Sequence, residues 1–167
     1  MGKLVDEVRI WNTPLLGAYM LWRFSQGYQE AHPKGEAPIG LLHFIANGIF
    51  TNERLLNGIS NSRPNLQSYV RGFEDSKESD LLLSIHERIK LKRQYTLDSI
   101  DIAVTEGLVV WEKDSARIYP RQITTTPKRG NNLKDSHKRN GGKAEILGKW
   151  FAEHTLSSIT TYLKIVL

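Results

Sequence analysis

Among the residues that could carry chemistry, the five histidines come first: His32, His43, His86, His137 and His154. No two are four apart, so no helical metal pair forms, and there is no His-Glu-x-x-His run. His43 lies in an apolar stretch and reads as a hydrogen-bonded core residue. The acidic pairs Asp98 with Asp101 and Glu74 with Asp75 fall at expected helix starts, where a carboxylate offsets the helix dipole. General acid–base work is the weaker reading for them. Glu106, Glu112 and Lys113 are the nearest approach to a nuclease-type set, which needs clustered carboxylates around a metal. They flank a predicted hairpin, so no such cluster is expected. The chain has no phosphate-binding Gly-x-x-x-x-Gly-Lys-Ser/Thr loop, no dinucleotide-binding glycine motif and no Gly-x-Ser-x-Gly. These observations point away from an enzyme, and no cofactor or metal is expected.

The elements that would position these residues are mostly helical. Asn12-Thr13-Pro14 reads as a helix start, with Pro in the first turn, where its missing N–H costs nothing. The apolar spacing of Leu15, Leu16, Tyr19, Trp22 and Phe24 carries that helix to about Ala31, and Pro33-Lys34-Gly35 breaks it. A second helix, Leu41 to Phe50, is apolar nearly all round and reads as central and buried. Shorter helices are predicted from a Thr51 cap to Ile59, from Pro64 to Phe73, and from Ser79 to Arg93 after a capping box at Asp75–Glu78. Thr96 reads as the cap of a further helix that ends at Gly107, a left-handed position. Leu108–Glu112 and Ala116–Tyr119 then read as two strands around a tight polar turn.

The expected fold is thus mainly α (α+β): one domain over 1–167 in which a winged-helix-like helix and two-stranded hairpin span 96–121. A flexible basic loop is expected over 124–142, and docked C-terminal helices over 143–167, with Ala144, Leu147, Trp150 and Phe151 on one face. With no cysteine, disulfides, thiolate metal sites and a cysteine nucleophile are excluded. No apolar run is long enough for a membrane span, and Met1–Glu7 is unlike a signal peptide, so a cytoplasmic protein is expected.

Charge is distributed unevenly. Residues 1–123 carry equal numbers of acidic and basic side chains, and the whole net charge of +5 falls within 124–149. Lys128, Arg129, Lys134, Lys138, Arg139 and Lys143 are therefore candidate contacts for DNA or an acidic partner face, with Lys113 and Arg117 on the hairpin. A solvated linker kept soluble by charge is the plain alternative. Four tryptophans are spread along the chain. Trp11, just before the first helix cap, is the strongest candidate for a partner contact, with Asn12, Trp22 and Trp111 beside it.

Two stretches at opposite ends carry a family resemblance: Val8-Arg9-Ile10-Trp11-Asn12-Thr13-Pro14-Leu15-Leu16 and Leu147-Gly148-Lys149-Trp150-Phe151-Ala152. With Phe24, Tyr28 and the helix–Gly107–strand unit, in that order, the chain resembles the middle component of bacterial ABC-three-component systems. The middle subunit of Lamassu anti-phage defence operons (LmuC) belongs to that group. The resemblance implies a small non-catalytic subunit between an SMC-like ATPase and an effector, often a nuclease, that is held inactive until foreign DNA is sensed. The basic loop departs from the family pattern. An autonomous winged-helix DNA-binding regulator is the competing reading. Against it, the segment from Thr96 to Gly107 holds Asp98, Asp101 and Glu106 but no Lys or Arg, whereas a helix lying among phosphates is usually cationic.

Overall fold

Thr13, in extended conformation, precedes Pro14 at the first helical position of α1 (Pro14–Ala31). The computed structural model describes residues 13–123 and 135–166. At its far end α1 is closed by the His32 ring, whose Nδ1 accepts from the backbone N–H groups of Lys34 and Glu36 at 3.2 Å. The buried helix α2 (Gly40–Phe50) follows, with Leu42, Ile45, Ala46 and Ile49 in the core. Its last carbonyls would be orphaned acceptors. Arg88 satisfies them, with Nε donating to Gly48 O at 3.1 Å and Nη2 donating to the Thr51 carbonyl and hydroxyl.

The short helices begin at different residues from those expected, and asparagine is the reason. In α3 (Glu53–Asn57) the cap is Asn52, whose Oδ1 accepts from Leu55 N at 2.9 Å, while Thr51 bonds backwards to Asn47 O. In α4 (Leu66–Asp75) the cap is Asn65, accepting from Ser68 N at 2.9 Å, and not the Pro64 region. No capping box forms at Asp75–Glu78. Asp75 closes α4, and the Glu78 carboxylate takes both nitrogens of the Arg54 fork at 2.9 and 2.7 Å. Helix α5 (Ser79–Leu91) is separated only by Lys92 from α6 (Arg93–Thr105). Thr96 is therefore buried inside α6 and caps nothing; its hydroxyl donates to Lys92 O at 3.0 Å.

Gly107 takes the left-handed conformation, φ +73°, and leads into β1 (Val109–Glu112), antiparallel to β2 (Arg117–Pro120) with Val110 opposite Tyr119. The segment before α2 lies on the other edge of β2: Ile118 N donates to Pro38 O, Gly40 N donates to Ala116 O, and Ile39 bridges Arg117. Val109 and Ile118 turn into the core, whereas Val110 and Trp111 stay about half exposed.

The largest departure from the sequence reading is α7 (Asp135–Ala152). Residues 135–142, expected as the end of a flexible loop, are its first two turns. Low intrinsic propensity at Asn140-Gly141-Gly142 is overridden by packing. Gly141 lets α7 lie against Tyr19, where a Cβ would sit 2.5 Å from the hydroxyl, and His137 and Asn140 are buried beside it. A short α8 (Leu156–Tyr162), capped by Thr155, follows. The fold is thus mainly helical with one small antiparallel sheet.

Helices α1 and α7 form its central seam. A Cβ at Gly27 would lie 2.0 Å from Glu145 O, and one at Gly148 would lie 2.1 Å from Phe24 O. Backbone meets backbone at both points, so neither helix can yield without moving the other. Gly148→Ala is expected to cost about 2 kcal/mol, as overpacking of a filled interior does. Urea denaturation measures it, and a loss under about 0.5 kcal/mol, typical of neutral surface sites, would show that the seam is loose.

Candidate functional site

Among the described residues the one arrangement that looks catalytic is Ser25 with His43. Ser25 Oγ lies 2.8 Å from His43 Nε2, and His43 Nδ1 lies 3.1 Å from Ile39 O. The carbonyl can only accept, so Nδ1 carries the proton and Nε2 accepts from the Ser25 hydroxyl. Both residues are fully buried, and Phe24 packs edge-on against the imidazole. No substrate reaches this pair, and burial pushes the His43 pKa down to about 4. It is a satisfied polar contact in the core between α1 and α2. Among the described residues no group of three His, Asp or Glu is placed to hold a metal.

A different site is built on α7. Arg139, Lys143 and Lys149 project from it, Arg23 projects from α1, and the Ile59–Asn61 turn forms the far wall. Together they border an open cleft of about 530 Å³. Glu145 is the sole carboxylate among its described lining residues. Its oxygens are already taken, by Arg23 Nη2 at 2.7 Å and by Lys149 Nζ at 3.5 Å; Lys149 also reaches Glu30 at 3.7 Å. Arg139 and Lys143, one turn apart on the same helix face, have no ion-pair partner among the described residues. Lys143 Nζ is held by the neutral Asn57 Oδ1 at 2.8 Å. Partial burial and then the neighbouring Arg139 lower its pKa. Two like charges fixed side by side in a concave wall repel each other, and an anion between them relieves that repulsion. The chemistry the cleft can perform is recognition of a phosphate or carboxylate.

The other predicted site residues are scattered. Lys138 is exposed on α7. Lys113 is exposed in the hairpin turn, apart from this cleft. Arg117 is already occupied: its guanidinium donates to Ala37 O at 2.6 Å and pairs with Glu36 at 2.9 Å, so it braces the hairpin against the segment before α2. Trp22 likewise serves the fold, its indole N–H donating to Arg121 O at 2.9 Å. Trp111 lays its ring edge against the start of α2 at Gly40 and leaves 43 % of its surface exposed. Trp11, Asn12, Lys128, Arg129 and Lys134 lie outside the described residues. Arg23 and Lys149 were not singled out from the sequence. The Glu145–Lys149 spacing of four was a visible signal for the second, but nothing local links Arg23 to a helix 122 residues away.

Among the described residues no helix is long and apolar enough to cross a membrane. No curated protein matches the chain, and no solved structure does. The model of one family, described as ABC-three component (ABC-3C) system Middle Component 3, matches residues 1–167, the whole chain. The chain belongs to that family, and is a middle component of an ABC-three-component system.

Proposed function

We propose that this protein is the non-catalytic scaffold subunit of a cytoplasmic anti-phage or anti-plasmid defence complex of the Lamassu kind. It bridges an SMC-like ATPase and a nuclease-type effector, and helps hold the effector inactive until foreign DNA is sensed. Family membership supports the existence of partner subunits. The observation that carries the reading further is the α7 cleft, where Arg139 and Lys143 stand uncompensated on an open surface. A contact that makes no base readout and neutralises phosphates suits a subunit that steadies DNA held by a neighbouring ATPase.

The competing winged-helix regulator draws support from the order α6, Gly107, β1, β2, with the segment before α2 on the far edge of β2. The exposed residues of α6, however, are Arg93, Gln94, Leu97, Asp98, Asp101, Val104 and Thr105, so beyond Arg93 at its start the helix presents an acidic and apolar surface that phosphates repel.

Co-purification of the tagged protein with the products of the two adjacent genes tests the scaffold reading. Co-elution with a coiled-coil ATPase and a second subunit is expected; a lone monomer that retains DNA would overturn it. Within that assembly, Arg139→Gln with Lys143→Gln is expected to leave assembly intact and to lower the slope of log affinity for DNA against log salt by about 2, near one per lost phosphate contact. An unchanged slope and affinity would remove the cleft from any role at DNA.

A further inference from the structure

A second cavity, distinct from the cationic cleft, opens where the first half of α1 meets the C-terminal end of α2, the start of α6 and the first turns of α7. Its volume is about 260 Å³, and Leu16, Met20, Phe50 and Leu56 supply apolar walls. An engineered apolar cavity of about 150 Å³ accommodates benzene. This one has room for a fused two-ring system, just below the usual range of small-molecule pockets.

Two carboxamides line it, and one of them has a buried oxygen with no partner. Asn47 on α2 is 1 % exposed, and its Nδ2 donates to Thr96 Oγ1 at 3.2 Å. The single Thr96 hydroxyl proton is already given to Lys92 O, so Thr96 can only accept from Asn47, and the amide orientation is fixed. That leaves Asn47 Oδ1 buried with no donor facing it. A buried acceptor in this state costs about 1–3 kcal/mol, and such an atom in a native fold calls for a ligand or water. Asn140 on α7 is 8 % exposed, and its side-chain amide makes no hydrogen bond within the described protein. Lys92 and Glu53 also line the cavity; Lys92 lies over the Tyr95 ring, its Nζ 5.7 Å from the centroid, and is not paired with Glu53 or another carboxylate among the described residues.

We propose that this cavity binds a purine base, as a free nucleoside or nucleotide. A flat bicyclic ring fits between the apolar walls. A carboxamide offers donor and acceptor side by side, the complement of adenine N7 and its exocyclic amino group, so Asn140 reads that edge. Asn47 Oδ1 accepts from a second N–H of the base. Lys92 stands where the phosphate of a nucleotide would emerge.

Ligand-observed NMR titration of the full chain with adenosine, AMP and N6,N6-dimethyladenosine tests this. Saturable binding of adenosine is expected, tighter for AMP if the nucleotide is the ligand and equal if the nucleoside is. The dimethyl analogue, which lacks the amino protons, should bind at least tenfold more weakly. Asn140→Ala and Asn47→Leu should each weaken adenosine at least tenfold. Asn140→Ala removes a side chain with no internal partner, so it reports on binding even where Asn47→Leu fails to fold. Absence of saturable adenosine and AMP binding would overturn the proposal, as would equal affinity for the dimethyl analogue or for the Asn140→Ala variant. These outcomes are independent of the scaffold reading, which rests on partner subunits and the α7 cleft.

Discussion

Replacing Trp150 by alanine is expected to destabilise the fold by about 3–5 kcal/mol, the cost of deleting a large aromatic from a filled core. Trp150 is 4 % exposed, and its ring centroid lies 5.6 Å from that of Tyr69. Tyr69 is itself immobilised, with its hydroxyl donating to Leu55 O at 2.7 Å and Phe73 edge-on at 5.0 Å. The neighbours cannot collapse into the space, so the cavity term is felt in full. In a chain of this size the change corresponds to a fall in Tm of roughly 10 °C. Thermal and urea unfolding both read it. A loss near zero would mean that α7 is not docked on α4 as described.

Acidification is expected to destabilise the protein through His43 before most carboxylates titrate. Its pKa falls from an ordinary 6.5 to about 4 in the folded state, because burial penalises the imidazolium. Between those two values the unfolded chain binds a proton that the folded chain refuses, so stability rises with pH across this window. The contribution is fully present above pH 6.5 and is lost as pH falls toward 4, amounting to about 3 kcal/mol. Urea midpoints at pH 7 and pH 4.5 for the native chain and for His43→Gln isolate it, since other groups contribute to both alike. The variant should show a markedly shallower pH dependence. Equal slopes would place a proton or solvent on the imidazole in the folded state.

Much of the architecture was legible because local chemistry specifies it. Pro14 marks the start of α1 and Gly107 the left-handed turn into β1, each through a constraint of its own residue. The start of α7 was missed for a different reason from the asparagine-capped starts of α3 and α4. Asn140-Gly141-Gly142 reads as loop on propensity alone, and the helix there exists because Gly141 admits Tyr19. That contact joins residues far apart in the chain, beyond what periodicity can report. The cationic site divides in the same way. Arg139 and Lys143 stood out as part of a charge excess, while Arg23 joins them only through the fold. Arg117 and Trp22 drew notice for their type, yet both are consumed by the carbonyls of Ala37 and Arg121. The two end motifs that carry the resemblance were informative for a related reason: Pro14–Leu16 and Leu147–Ala152 belong to α1 and α7, the two sides of one glycine-lined seam.

That seam has a consequence for how the molecule is made. Arg23 and its partner Glu145 are 122 residues apart, and the backbone contacts at Gly27 and Gly148 span a similar distance. Helix α1 leaves the ribosome early, yet its main packing surface does not exist until α7 has been translated, roughly ten seconds later at ordinary rates. During that interval Phe24 can meet His43 and Phe50 on α2, but its edge-on partner Phe151 is still missing. A seam that closes last also pays its loop-closure entropy last, so the commitment to the native state falls near the end of synthesis. Truncation within α7 would therefore leave a chain whose first helix keeps its α7-facing side exposed, a target for chaperones and proteases.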